Sequence, residues 1–427
     1  MLLYLALWRK GKKMFRELAS FDSSKKLIFN KINPKPLGSE RISLLKAHLR
    51  TLSEDIISDL NIPPFHRSTV DGFAVKAEDT FDAEENNPVK LNIVGSINVG
   101  FCSELVLGNG EAVEIVTGAP IPSGANAVVM VENTQKHENQ ILIYRAVSQD
   151  ENVMKKGTDV KKGEIVLKKG AVLEASKIGV LAAIGLDYVQ VFRLPKIAII
   201  STGAEITTPG KKLLPGKIYD INAYSLSAAV LKSGGEPIYQ GVVPDDEVSL
   251  RNALKEALLS SDIVITSGGV SVGPKDYTPR VVNCLGKPGV ILSGIAVKPG
   301  KPTTVALIGK KPVFSLPGHP TSALLIFHLL VHPIIQKICG KTLIENQTIK
   351  AILDTRLFSA KGRKTYITVT LTRDKKQKLI ATPTKTGVSG AITTLSKADG
   401  FVEIAANQQF IDSNEEVNVT LLTNKKI

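Results

Sequence analysis

The sequence predicts a multidomain α/β plus β protein: a central open, mostly parallel α/β domain, an inserted β-rich domain and a small C-terminal β domain. Three observations carry this reading. Residues 195–340 alternate apolar strands with helical segments, residues 61–150 interrupt a helical region with short strands and turns, and residues 345–427 return to strands alone. A chain of 427 residues also exceeds what one hydrophobic core usually serves.

At the N-terminus, Leu2 to Trp8 are apolar and Arg9 to Lys13 mostly basic, the reverse of a secretory signal, and the run is too short to span a bilayer. Met14 opens an amphipathic segment with Phe15, Leu18 and Phe21, which leaves residues 1–13 open to being an over-called start. Leu44, Leu45, His48, Leu49, Leu52, Ile56 and Ile57 recur at helical spacing, so residues 14–60 are expected to be helical. Together with 151–185, which ends in a helix from Ser176 to Gly185, they form a helical and mixed N-terminal domain. Between these segments, Leu91–Val94, Ala127–Val131 and Ile141–Tyr144 alternate with Gly, Pro and Asn turns, giving the β-rich insertion of 61–150.

The α/β domain spans 186–340. Lys196–Ile200 is its first strand, followed by a helix with Asn222 as N-cap and Gly234-Gly235 as stop. Strand Pro237–Val243, a helix capped near Asp246, strand Asp262–Thr266 and a helix from about Tyr277 continue the alternation. A long helix from Thr321 to Cys339 closes the unit, with Pro333 expected to kink it. Thr348–Leu353, Thr365–Thr372, Leu379–Pro383, Gly400–Ile404 and Val417–Leu422 are the strands of the C-terminal domain, residues 345–427.

Lys and Arg outnumber Asp and Glu by 54 to 40, a formal charge of +14, which favours anionic partners. The lysines are scattered and aromatics are only 5%, so a base-stacking nucleic-acid module is not expected. Nor is a membrane span. Cys102, Cys284 and Cys339 form no disulfide or zinc pattern, which points to a reducing cytoplasm. His328 and His332 lie four residues apart on the long helix, but without a third ligand a packing role is expected.

In an open parallel sheet, ligands bind beyond the carboxyl ends of the strands. Three loops stand there: 201–205 with Glu205, 243–246 with Asp245 and Asp246, and 266–276 with Ser267, Gly268, Gly269, Ser271 and Asp276. A glycine-rich turn alone is weak, but its amides can approach phosphate closely. Three carboxylates beside a phosphate make sense with a divalent cation between them, although one of Asp245 and Asp246 is expected to be only a helix cap. Lys298 and Lys301 sit in the stiff turn Lys298-Pro299-Gly300-Lys301-Pro302, a preorganised oxyanion site. Pro317-Gly318-His319-Pro320 leads into the long helix, whose first amides can face an anion. In the insertion, Asp71-Gly72 reads as a plain turn and Thr117 opens a rigid loop.

Taken together, FHRSTVDGFAV (65–75), TGAPIPSGANAVV (117–129), STGAEI (201–206), PDD (244–246), TSGGVSVGPKDYT (266–278), KPGKP (298–302) and LPGHPTSA (316–323) resemble the molybdopterin molybdenumtransferase family, the MoeA proteins and the gephyrin E domain. Arg363 in KGRKTY, Ser389 in TGVSG and Ala398-Asp399-Gly400 extend the resemblance, which runs from about Met14 to the end. It implies four subdomains, a molybdopterin-binding α/β domain, and a homodimer whose active site pairs the α/β domain of one subunit with the Asp71 and Thr117 segments of the other. It further implies adenylylated molybdopterin and molybdate as substrates, Mg2+ as cofactor and AMP as leaving group. On that basis Asp71, Glu205, Asp245 and Asp276 are the expected catalytic residues, the last three also holding the cation. Thr117, Ser267, Gly268, Gly269, Ser271, Lys298, Lys301, Pro317, Pro320, Arg363 and Ser389 are the expected substrate-binding set.

His66, Gly294 in place of a basic residue, and Ala204 in place of an acidic one depart from the family pattern. Gly294 weakens any scheme that needs a third basic group at molybdate. A molybdopterin adenylyltransferase, itself an expected partner, would lack the insertion and the C-terminal domain. A non-catalytic scaffold should have lost the acidic cluster or the KPGKP turn. Tungstate in place of molybdate stays open.

Overall fold

The structure is a computed structural model, and it describes residues 18–101, 104–269, 277–342, 347–384 and 392–422. Ser271, Asp276 and Ser389 therefore lie outside the described residues. The chain divides into two compact units, Met1–Glu40 with Phe192–Ile427, and Arg41–Val191.

The first unit is built on β1 (Lys196–Thr202), α1 (Asn222–Ser233), β2 (Glu236–Val243), α2 (Glu247–Ser260), β3 (Ile263–Ser267), α3 (Thr278–Leu285), β4 (Pro288–Ser293), β5 (Thr304–Ile308), β6 (Lys311–Leu316) and α4 (Pro320–Ile338). Sheet order is β2-β1-β3-β6-β5-β4. The first four strands run parallel, as the sequence alternation predicts, and β5 is antiparallel to both of its neighbours. Side chains alternate across a strand, so β1 feeds two cores. Ile197 and Ile199 pack with α1, α4 and the helix Phe21–Ile32, whereas Ala198 and Ile200 pack with α2 and α3. The nearly unbroken apolar run of β1 is what burial on both faces requires.

α4 is long and apolar enough to cross a membrane by length and composition, yet it is 67% buried within the fold. It widens into a π-turn at Phe327–Val331, just before Pro333. Pro333 lacks an N–H and its ring crowds the carbonyl one turn back, so the ladder is reset there.

The C-terminal strands Thr348–Leu353, Lys364–Arg373, Leu379–Pro383, Gly400–Ile404 and Glu416–Leu421 close into a small five-stranded barrel, because Lys364–Arg373 pairs with both Leu379–Pro383 and Gly400–Ile404. Its interior holds Leu353, Val369, Ala381, Ile404 and Val419.

In the second unit, Ala127–Met130, Gly72–Val75, Glu111–Ile115, Val89–Ile97, Gln140–Ile143 and Thr134–His137 form one six-stranded sheet in that order. Asp71-Gly72 is not a plain turn: it opens a strand paired on both sides. A Cβ on Gly72 would stand 1.9 Å from the Val129 carbonyl oxygen, so only glycine allows that approach. Residues 44–57 are not the expected helix. Only Leu44–Lys46 makes a 3-10 turn, and Ile56–Ile57 pairs as a strand with Ile165–Leu167. Leu49 takes the left-handed conformation at φ 61°, which no helix interior accepts. Leu52 is buried and Leu45 is 94% exposed, so the apolar spacing marked no single face.

Candidate functional site

The carboxyl ends of β1, β2 and β3 open onto a cleft of about 550 Å³, walled also by the loop before α1 and by the segment that leads into α4. Glu205, Asp245, Ser267, Gly268, Gly269, Pro317 and Pro320, all expected from the sequence, line it together.

The glycines of the third loop are steric necessities. Gly268 and Gly269 hold φ of 96° and 64°. A Cβ on Gly268 would lie 2.2 Å from the Thr202 carbonyl oxygen, and one on Gly269 would lie 2.8 Å from the Thr202 hydroxyl. Backbone from β3 thus sits directly over the end of β1, beside Asp245, whose Oδ1 would be 3.6 Å from that second Cβ. Glu205 folds back over its own loop, its carboxylate oxygens 2.8 and 2.9 Å from a Cβ placed on Gly203.

The two aspartates of the second loop divide their roles. Asp246 caps α2: its Oδ1 accepts the Val248 and Ser249 amides at 3.0 and 2.9 Å. Those bonds, Ser249's foremost, hold its carboxyl below the usual range. Asp245 is left exposed at the cleft.

Asn222 is not the N-cap of α1. Asp220 has that task, accepting the Ala223 amide at 3.1 Å and the Tyr239 hydroxyl at 3.0 Å. Asn222 instead crosses the cleft floor, donating to Ser267 Oγ at 2.7 Å and to the Gly318 carbonyl at 2.6 Å. This tie between the β3 and β6 loops escaped sequence reasoning. Its only signal was a second polar residue two positions after the capping aspartate. Tyr219 is also a cleft residue that motif reasoning passed over, and His319, part of the LPGHPTSA motif but given no role there, lines the cleft too.

Lys298 and Lys301 are exposed, and neither lines the cleft, although Pro302 at the end of their turn does. Gly300, at φ 114°, is pressed against α4, where a Cβ would meet Ile326 Cδ1 at 2.4 Å. Val297–Lys298 adds to the barrel edge beside Lys364–Arg373, with Lys298 opposite Thr365. That register brings Lys298 to within two positions of Arg363, half-exposed at the end of a turn closed by its own amide on the Ala360 carbonyl.

Asp71 and Thr117 belong to the second unit, whereas every lining residue of the cleft comes from the first. Thr117 donates its amide and its hydroxyl to Asp71 Oδ1 at 2.6 and 2.9 Å. These bonds, the amide's first, lower the Asp71 carboxyl below its ordinary range. Thr117 is thereby accounted for as the group that orients Asp71.

His332 Nδ1 meets the Ser233 hydroxyl at 2.8 Å, and His328 packs edge-on against Phe327. Burial, together with His332 and Lys232, pushes His328 down to about 4. Among the described residues no group of three or more His, Cys, Asp or Glu side chains gathers as a metal site. The Ala398-Asp399-Gly400 motif is structural: buried Asp399 accepts the Leu371 amide at 2.8 Å.

Three family models match in succession: the MoeA N-terminal region (domains I and II) over 19–185, a "Probable molybdopterin binding domain" over 198–337, and the MoeA C-terminal region (domain IV) over 350–422. The chain is 36% identical over 393 residues to the molybdopterin molybdenumtransferase of Bacillus subtilis, covering 90% of each chain. It is 34% identical to that of Staphylococcus aureus, over 89% of this chain and 90% of the relative. Two crystal structures of Pyrococcus horikoshii MoeA proteins are also similar. One has 41% identity and a TM-score of 0.85 over 96% of this chain and 100% of the other. The second has 33% identity and a TM-score of 0.78 over 95% and 100%.

Proposed function

The chain belongs to the MoeA family of molybdopterin molybdenumtransferases, and on that premise we propose that it inserts molybdenum into molybdopterin to give the molybdenum cofactor. The observation that carries the proposal is the convergence of Glu205, Asp245 and the Gly268–Gly269 turn on one cleft, inside the segment matched by the molybdopterin-binding family model.

The substrate is read as adenylylated molybdopterin with molybdate as the second reactant. Gly268 and Gly269, required to be glycine by their approach to Thr202, form a glycine-rich turn of the kind whose amides cradle phosphate oxygens. The start of α4 carries no capping side chain, which leaves its first-turn amides for an anion. Two exposed carboxylates in a phosphate-binding cleft are hard oxygen donors of the kind Mg2+ takes alongside phosphate, so Glu205 and Asp245 fit that cation, and Asp276 joins them by family resemblance. When bound, Mg2+ would neutralise charge on the adenylate phosphate.

Lys298 and Lys301 are proposed to hold molybdate, with Arg363, Ser389 and Ser271 completing the oxyanion pocket. Support comes from the Lys298–Thr365 register beside Arg363 and from the stiff turn that ends at Pro302 in the cleft wall. Asp71, ionised and oriented by Thr117, is proposed to act in a homodimer, where the partner subunit's Asp71 orients the water that attacks the adenylate phosphorus and releases AMP. A molybdopterin adenylyltransferase would supply the substrate, in the cytoplasm.

The test incubates the purified protein with adenylylated molybdopterin, molybdate and Mg2+, and follows AMP release together with reconstitution of a cofactor-free molybdoenzyme. Molybdate-dependent AMP release with active cofactor is expected. Tight substrate binding without turnover would overturn the catalytic reading in favour of a scaffold.

A further inference from the structure

The cleft is lined by the polar Gly268–Gly269 turn and also by the apolar side chains of Ile206, Ile218, Tyr219 and Ile221. Three of these large side chains are turned to solvent, Ile218 at 54%, Tyr219 at 41% and Ile221 at 37% exposure. Exposed apolar groups gathered at the mouth of a polar cleft mark a contact surface. Ile218, Tyr219 and Ile221 lie outside the motifs that identified the site.

This segment is held in place. Ile218–Tyr219 pairs in parallel with Ile206–Thr207, the Ile218 amide donates to the Glu205 carbonyl at 2.9 Å, and the Asp220 amide donates to the Thr207 carbonyl at 2.9 Å. Tyr219's hydroxyl donates to the Lys211 carbonyl at 3.1 Å, which fixes the ring and uses its one donor. Asp220, buried next in sequence, is anchored to α1 and to Tyr239. The aromatic face is thus rigid, while its polar tip is already spent, so what Tyr219 offers a ligand is a π surface.

We infer that Tyr219 is a specificity-determining residue whose ring forms a stacking platform for a fused nitrogen heterocycle of the substrate, with Ile218 and Ile221 bordering it. The inference rests on the proposed function, which supplies a substrate carrying two such rings, a pterin and an adenine. Both share the planar π chemistry that an aromatic side chain recognises.

The test is calorimetric titration of the full chain with AMP, with pterin-6-carboxylate and with ribose 5-phosphate. Tyr219→Ala should weaken the ring that occupies the platform by about tenfold. Tyr219→Phe should stay within about twofold, and ribose 5-phosphate should be unaffected by either change. Loss confined to AMP assigns adenine, and loss confined to the pterin assigns the pterin. As a second measurement, Tyr219→Trp should keep the affinity and show quenched indole fluorescence with the same ring. Unchanged affinity for both rings in Tyr219→Ala, an equal loss for ribose 5-phosphate, or failure of the wild-type protein to bind either ring would overturn the inference. These readouts need no turnover. A protein that binds through Tyr219 but inserts no molybdenum would refute the proposed function and leave the platform standing.

Discussion

Thr117 places both its amide and its hydroxyl on a single oxygen of Asp71, Oδ1, at 2.6 and 2.9 Å, so Oδ2 carries neither bond. A carboxylate gripped at one oxygen keeps a fixed direction, and both bonds hold its pKa below the ordinary aspartate value. Thr117→Val removes the hydroxyl and keeps the amide. The Asp71 carboxyl should then titrate closer to its ordinary value, read by NMR, and molybdenum insertion should slow severalfold. Asp71→Ala should cut insertion far more, with the fold unchanged by circular dichroism. Wild-type rates in Asp71→Ala would remove it from the site.

Adjacent aspartates with separate partners predict a double dissociation. Asp246→Ala loses the cap of α2 and should lower the melting temperature by a few degrees, leaving insertion near wild type. Asp245→Ala should do the reverse, as should Glu205→Ala and Asp276→Ala. Melting curves and insertion rates for the same preparations check both halves. Equal behaviour of the two aspartate variants would contradict the assignment.

Asn222→Leu unties the end of β3 from the β6 loop, stranding the buried Ser267 hydroxyl and taking a donor from the carbonyl of exposed Gly318. Leaving buried polar groups unpaired costs on the order of 1–3 kcal/mol. Unfolding in urea should show that loss, and AMP affinity should fall because the cleft floor is no longer held. Asn222→Asp, which keeps the shape but not the donors, should fall as well.

His328 supplies a pH dependence. Its folded pKa of about 4 lies below the 6.5 of the unfolded chain, so the unfolded state binds more protons between those values. This contribution to stability is complete above pH 6.5 and is lost as pH falls toward 4, about 2 kcal/mol of it by pH 5. His332, also lowered by burial, adds in the same direction. Urea midpoints at pH 7.5 and pH 5 should differ markedly less in His328→Leu than in the wild type. An unchanged pH dependence would mean that His328 is protonated in the folded state.

Within the α/β domain β1, β2 and β3 were legible because each carries its own apolar pattern, whereas the antiparallel β4 and β5 were not read from the sequence. Lys196–Ile200 reads as a buried strand since both of its faces are covered, and Asp246 reads as a cap since a helix end needs a nearby acceptor. Residues 44–57 misled because leucines at helical spacing were distributed between core and solvent by a chain that turns at Leu49. Neither outcome is visible in hydropathy alone.

The fold class, the loops at the carboxyl ends of β1, β2 and β3, and the family to which their motifs belong could be read from the amino acids alone. Local propensity and short-range patterning are enough for that, because each signal lies within a few residues. Folding alone reveals that Asp245 and not Asp246 faces the cleft, that Asn222 ties two segments 45 and 96 residues away, and that a side chain at Gly72 would collide with the Val129 carbonyl. Those facts depend on atoms brought together by packing, and no spacing along one chain encodes a distance across a sheet.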